Sequence, residues 1–140
     1  MRAEEVLELI KDYLMEAKVA TERRIFATTD VSRYRQALRA LKDQGISRLS
    51  NITGVDLGDG IEVIYHVDCR DTVLNLKLRL PRESPTIRTV TDIFPGAVLY
   101  ERDLMEMLGV RVEHHPDPRR LFLPDDWPAG EYPLRKEEKR

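Results

Sequence analysis

Two neighbouring stretches alternate apolar and polar residues with a period of two, and that pattern demands a sheet. In Ile61 to Cys69 the apolar positions are Ile61, Val63, Tyr65 and Val67, interleaved with Glu62, His66 and Asp68. In Thr72 to Leu80 they are Leu74, Leu76, Leu78 and Leu80, interleaved with Asn75, Lys77 and Arg79. Successive strand residues point to opposite faces, so each run buries one face and wets the other. The Arg70-Asp71 link between them predicts an antiparallel hairpin. Leu49 to Leu57 enters it through Gly58-Asp59-Gly60, a turn whose glycines tolerate positive φ. Pro81 and Pro85 close the meander, because proline offers a ladder no donor.

Elsewhere the period is helical. Val6, Leu9, Ile10, Tyr13 and Leu14 predict a helix over Glu4 to Ala17. Arg23 to Thr29 reads as a short strand. Asp30 is a candidate N-cap for a second helix ending near Gly45, with Tyr34, Ala37, Leu38 and Leu41 buried. One helical turn before Pro95 leads to a third helix, Ala97 to Leu108, closed by Gly109. The fold class is therefore α+β. N-terminal helices pack on an antiparallel sheet, and a C-terminal helix is followed by an extended proline-rich arm. The α+β domain spans 1–110 and the arm 111–140.

Five of the eight prolines lie between Pro116 and Pro133. They forbid a long helix or a central strand there. Yet Leu121, Phe122, Leu123, Trp127, Tyr132 and Leu134 give the arm more apolar surface than a disordered tail carries. It reads as an ordered strap laid against another surface.

One residue of the third helix is out of place. At about 100° per residue, Val98, Tyr100, Leu104, Met105, Met107 and Leu108 share an arc, and Arg102, Asp103 and Glu106 lie opposite. Glu101 falls inside the apolar arc. A buried carboxylate needs a cationic or multi-donor partner or it takes up a proton. Arg119 and Arg120 are the nearest candidates in sequence, and Glu101 is expected to brace the arm internally.

Composition narrows the function classes. A chain of 140 residues fits one domain with a real core. With 23 Lys+Arg against 25 Asp+Glu, it has no global attraction for nucleic acid or anionic lipid. The 34% of charged residues is compatible with a thermophile's ion-pair networks. Cys69 is the sole cysteine, so the chain cannot itself supply a cluster's four thiolates. No apolar run approaches the roughly 20 residues that span a bilayer. His114-His115 lacks the spacing of a metal motif, and the acids around Gly58-Asp59-Gly60 lack a calcium-loop register. No phosphate-cradling or nucleophile-elbow motif occurs.

The stretch from about Asn51 to Lys136 resembles the family of C subunits of the proton-pumping NADH:quinone oxidoreductase, complex I, shared with energy-converting membrane-bound [NiFe] hydrogenases. Glu101-Arg102-Asp103 with Glu106-Met107-Leu108-Gly109-Val110 carries the first part of the likeness. His115-Pro116-Asp117 with Arg119-Arg120 carries the second, and Asp126-Trp127 with Pro133-Leu134-Arg135-Lys136 the last. Thr53-Gly54-Val55-Asp56 and the stretch from Ser84-Pro85-Thr86 to Phe94-Pro95 also fit. Asp103, Glu106, Leu108, His114 and Pro118 depart from the family pattern. These departures favour the hydrogenase-type, ferredoxin-linked relatives over the quinone reductases.

The resemblance implies a non-catalytic structural or assembly subunit in the cytoplasmic arm of an ion-translocating oxidoreductase complex. It would hold no cofactor itself, with a [NiFe] centre and iron–sulfur clusters in neighbouring subunits. Its partners would be the large catalytic subunit and the small iron–sulfur subunit, with the membrane arm contacted indirectly. It would then sit peripherally on the cytoplasmic face of the cell membrane. Arg102, His115, Pro116, Asp117, Arg119, Arg120, Trp127, Leu134 and Arg135 are the expected partner-binding residues. The C subunit of a proton-pumping NADH or ferredoxin:quinone oxidoreductase is the alternative. A free-standing acid–base enzyme using Glu101 and His115, and a nucleic-acid-binding α+β module, are the readings from other classes.

Overall fold

The computed structural model describes residues 1–118, 128 and 130–135. Helix α1 (Ala3–Ile10) ends in a tight turn at Lys11–Tyr13 and gives way to strand β1 (Glu16–Thr21). There follow β2 (Arg24–Thr28), α2 (Tyr34–Asp43), β3 (Arg48–Asp56), β4 (Ile61–Asp68) and β5 (Val73–Leu80). Then come β6 (Thr86–Arg88), α3 (Ala97–Leu108) and β7 (Arg111–Glu113). The class is α+β, as the sequence implies. None of the described helices is long and apolar enough to cross a membrane.

The main sheet has the order β1-β2-β5-β4-β3 and is mixed. Three pairings are antiparallel, but β2 runs parallel to β5. This corrects the all-antiparallel expectation. The α2 crossover returns the chain to the end where β2 began, so β3 repeats the direction of β2. Two hairpins later β5 runs that way too, and β2 pairs alongside it.

The predicted first helix is too long. Glu16 to Thr21 is a strand, and all six of its residues are exposed. With neither face buried it carries no apolar period, and pairing with β2 overrides its helix-tolerant composition. Strands β6 and β7, three residues each, form a parallel pair that ties 111–113 to the folded body rather than to the arm.

The core lies between one face of the main sheet and the three helices. Tyr65 of β4 stacks on Tyr34 of α2, ring centroids 5.6 Å apart. Tyr34 then does a second job: its hydroxyl donates to the Arg88 carbonyl at 2.6 Å and accepts from the Arg88 amide at 2.9 Å. Burial pushes that phenol up to about 12, so the proton stays on. Replacing Tyr34 with phenylalanine strands a backbone donor and is expected to cost about 1–3 kcal/mol, readable by urea denaturation.

Candidate partner-docking site

Helix α3 crosses β3 at Gly54, where the absence of a side chain lets the helix descend onto the sheet. A Cβ there would lie 2.7 Å from Leu104 Cδ2 and closer still to Leu108 Cδ1. Gly109, at φ +70°, ends the helix in the left-handed conformation that favours glycine.

That descent buries Glu101 completely. Its Oε1 accepts from Thr89 Oγ1 at 2.5 Å and its Oε2 from the Val90 amide at 2.8 Å. The multi-donor partner demanded by the sequence is thus the segment entering α3. Burial raises the Glu101 carboxyl above the usual glutamate range, opposed by the Thr89 and Val90 hydrogen bonds. His115, with its side chain 1% exposed, sits with Nε2 3.9 Å from Glu101 Oε1. Its Nε2 donates to the Val98 carbonyl at 3.0 Å, and its Nδ1 accepts from the Asp117 amide at 3.1 Å. One ring nitrogen donating and the other accepting describes a neutral imidazole.

The same segment is pinned from the other side. Arg35 of α2 grips Asp92 with two hydrogen bonds, of 2.9 and 2.6 Å, and also donates to the Thr89 carbonyl. Arg39 adds a bond to Asp92 at 3.2 Å. The Arg35 hydrogen bond, foremost, holds the Asp92 carboxyl below the usual aspartate range. Residues 89–92 are therefore clamped between a carboxylate from α3 and guanidinium groups from α2. Arg88, Thr91, Asp92, Pro95, His114 and Pro116 line a shallow cleft beside the clamp.

The structure brings several of the sequence-selected residues together along α3. Arg102 is 8% exposed, its Nη1 3.9 Å from Asp117 Oδ2. Pro116 is exposed and Asp117 half-buried. Past the helix the chain returns to its C-terminal end. The Leu134 amide donates to the Met107 carbonyl at 2.9 Å, and Arg135 Nε donates to the Leu108 carbonyl at 2.6 Å. The Arg135 guanidinium lies over the Tyr132 ring, which itself covers Gly109. These donors satisfy carbonyls that a helix end otherwise leaves orphaned. The Leu134 side chain is 57% exposed. Arg119, Arg120 and Trp127 lie outside the described residues, and with them the expected Arg119 or Arg120 partnership with Glu101.

One expectation is corrected. Arg102 and Glu106, assigned to the solvent side of α3, are each only 8% exposed. Asp117 lies against Arg102, and residues 132–135 close on the helix's C-terminal end, so the chain beyond α3 covers surface that is free only on an isolated helix. Sequence reasoning also missed Thr89, Val90, Arg35 and Asp92. Their contacts join residues 11 to 57 positions apart, and nothing local signals them.

Other polar residues have plain structural partners. Asp56 Oδ1 accepts from the Gly58 amide at 2.8 Å and Oδ2 pairs with Arg82 at 3.0 Å, so turn chemistry accounts for it. His66 bridges Thr53 and Asn75 across the outer sheet face, at 2.7 Å to each. Among the described residues no group of three His, Cys, Asp or Glu side chains could hold a metal ion.

Comparison with known proteins gives concordant likenesses. The C subunit of the F(420)H(2) dehydrogenase of Methanosarcina mazei is 37% identical over 129 residues, covering 89% of this chain and 81% of that one. The beta subunit of the membrane-bound hydrogenase of Pyrococcus furiosus is 31% identical, covering 99% of this chain and 87% of that one. A chain in the structure of the membrane-bound sulfane sulfur reductase, an archaeal respiratory membrane complex, superposes with a TM-score of 0.81 at 32% identity, covering 94% of this chain and 80% of that one. The family model described as respiratory-chain NADH dehydrogenase, 30 Kd subunit, matches residues 27–140, from β2 to the C-terminal residue. With most of its length matched, the chain belongs to that 30 Kd subunit family.

Proposed function

We propose that this chain is a peripheral, non-catalytic subunit of a membrane-bound, complex I-like respiratory complex of the hydrogenase type, linked to ferredoxin and coupled to ion translocation. Its work is to brace the large catalytic subunit and the small iron–sulfur subunit on the cytoplasmic side. The [NiFe] centre and the clusters belong to those neighbours. The observation that carries this reading is the nearly end-to-end likeness to the beta subunit of the hydrogenase. The clamp around Glu101 supports it, because it fixes α3 and the residues flanking it in one arrangement. Arg102 and Arg135 would order the docking surface from beneath. His115, buried beside Glu101, would hold that surface in place, and Pro116, Asp117 and Leu134, together with Arg119, Arg120 and Trp127, would meet the partner.

The test is affinity capture of the tagged full-length chain from gently solubilised membranes. The large and small subunits are expected to co-elute, and two CxxC pairs in the large subunit identify the hydrogenase type. A large subunit without those pairs shifts the assignment to the quinone oxidoreductase reading. Recovery of the chain alone overturns both. Leu134→Asp, at an exposed position, is expected to reduce co-elution by about tenfold or more with an unchanged melting temperature.

A further inference from the structure

Strand β1 is an edge of the main sheet, paired on one side only. All six of its residues are exposed. Its cross-strand partners fix its faces, because directly opposed residues share a side of the sheet. Ala17 opposes buried Ala27 and Val19 opposes buried Ile25, so Ala17 and Val19 sit on the core face. Glu16 opposes Thr28 and Lys18 opposes Phe26, which places the two charges on the outer face. Val19 is 42% exposed and Met15, just before the strand, 62% exposed. The core face thus runs out uncovered at this edge. An uncovered edge with apolar residues on one face invites another strand.

The sequence of the strand is complementary to itself. Centre an antiparallel two-fold on Ala17, and Glu16 falls opposite Lys18 of the second copy on the outer face, twice over. On the core face Ala17 meets Ala17 of the second copy, and Val19 meets Met15. Moving the centre one residue, to Lys18, sets two ammonium groups against each other. Moving it to Val19 leaves both lysines without an opposing acid. One register alone among these pairs both the charges and the apolar residues.

We propose that, outside the complex, two copies of this chain pair through their β1 edges in the Ala17-centred antiparallel register, joining two five-stranded sheets into one. The pairing covers the core-face residues Ala17 and Val19 and occupies an edge that would otherwise template aggregation.

Sedimentation equilibrium of the full chain at about 10–500 µM tests this, a range suited to a small interface. A reversible dimer is expected for the native chain. Lys18→Glu and Glu16→Lys, each at an exposed position, should raise the dissociation constant about tenfold, since each turns two attractive cross-strand pairs repulsive. The double exchange, Glu16→Lys with Lys18→Glu, should return it to near the native value. Ala17→Cys should give an oxidised, covalently linked dimer, because opposed Cβ atoms at the two-fold approach disulfide distance. Thr21→Cys should not. A native chain that stays monomeric across the range overturns the proposal. So does a dimer unmoved by the single exchanges, or one not restored by the double, which points to a different surface or to an edge reserved for a heterologous strand.

Discussion

Replacing Glu101 with alanine is expected to lower the unfolding free energy by about 3 kcal/mol. The side chain is fully buried, and its removal leaves the Val90 amide without its acceptor and the Thr89 hydroxyl with only Thr91 Oγ1, at 2.9 Å, to turn to. Glutamine should cost less, since one amide oxygen can still accept from Val90. The two variants separate lost hydrogen bonding from lost volume, and equilibrium urea unfolding reads both. Equal losses in the two would show that charge, rather than acceptor count, holds the clamp.

The same carboxyl predicts a pH dependence of known sign. Its folded value is raised by burial, so the folded protein holds a proton where the unfolded chain has already lost it. The stabilisation is full below the ordinary glutamate value and is lost as pH rises through the raised one. The native chain should therefore gain stability over the Glu101→Gln variant as pH is lowered into that window. Asp92 works in the opposite sense. Held low by Arg35, it contributes above the ordinary aspartate value and loses that contribution as pH falls through its depressed one. A native-minus-variant difference that grows with rising pH would contradict the burial of Glu101.

Gly54→Val is the second large effect, expected at about 2–3 kcal/mol of destabilisation. Even a bare Cβ would sit 2.7 Å from Leu104 Cδ2 and overlap Leu108 more deeply. Both leucines are buried and hemmed in by the core, so the helix must lift. Lifting α3 strains the Glu101 hydrogen bonds as well, which makes the two positions energetically coupled. A double-mutant cycle between Gly54→Val and Glu101→Ala should give a total loss smaller than the sum of the single losses. Strict additivity would mean that the helix accommodates the valine locally.

What the sequence made legible follows where a face is buried. Strands β4 and β5 show their period because one side of each lies on the core, and helix α3 shows its limits because Gly109 stops it. Strand β1 shows nothing, since no residue of it is buried. Strands β6 and β7 are too short for any period to appear. The displaced carboxylate of Glu101 was visible as an angular misfit, and so was its need for several donors. Their identity, Thr89 and Val90, was not, because a loop entering a helix leaves no periodic trace. Arg102 and Glu106 were misplaced for a related reason. A helical wheel describes one cylinder and knows nothing of the chain that later folds back along it.

That fold-back has a consequence of its own. After β7 the chain is fastened to the first half of α3 by His115 and Asp117, and it is fastened again to the helix's C-terminal end by Leu134 and Arg135. The number of residues between two such fastenings is only weakly coupled to the stability of the body. Doubling a loop costs about 0.6 kcal/mol of closure entropy. The count of residues between the two fastenings can therefore change at little cost to the body while both fastenings stay in place.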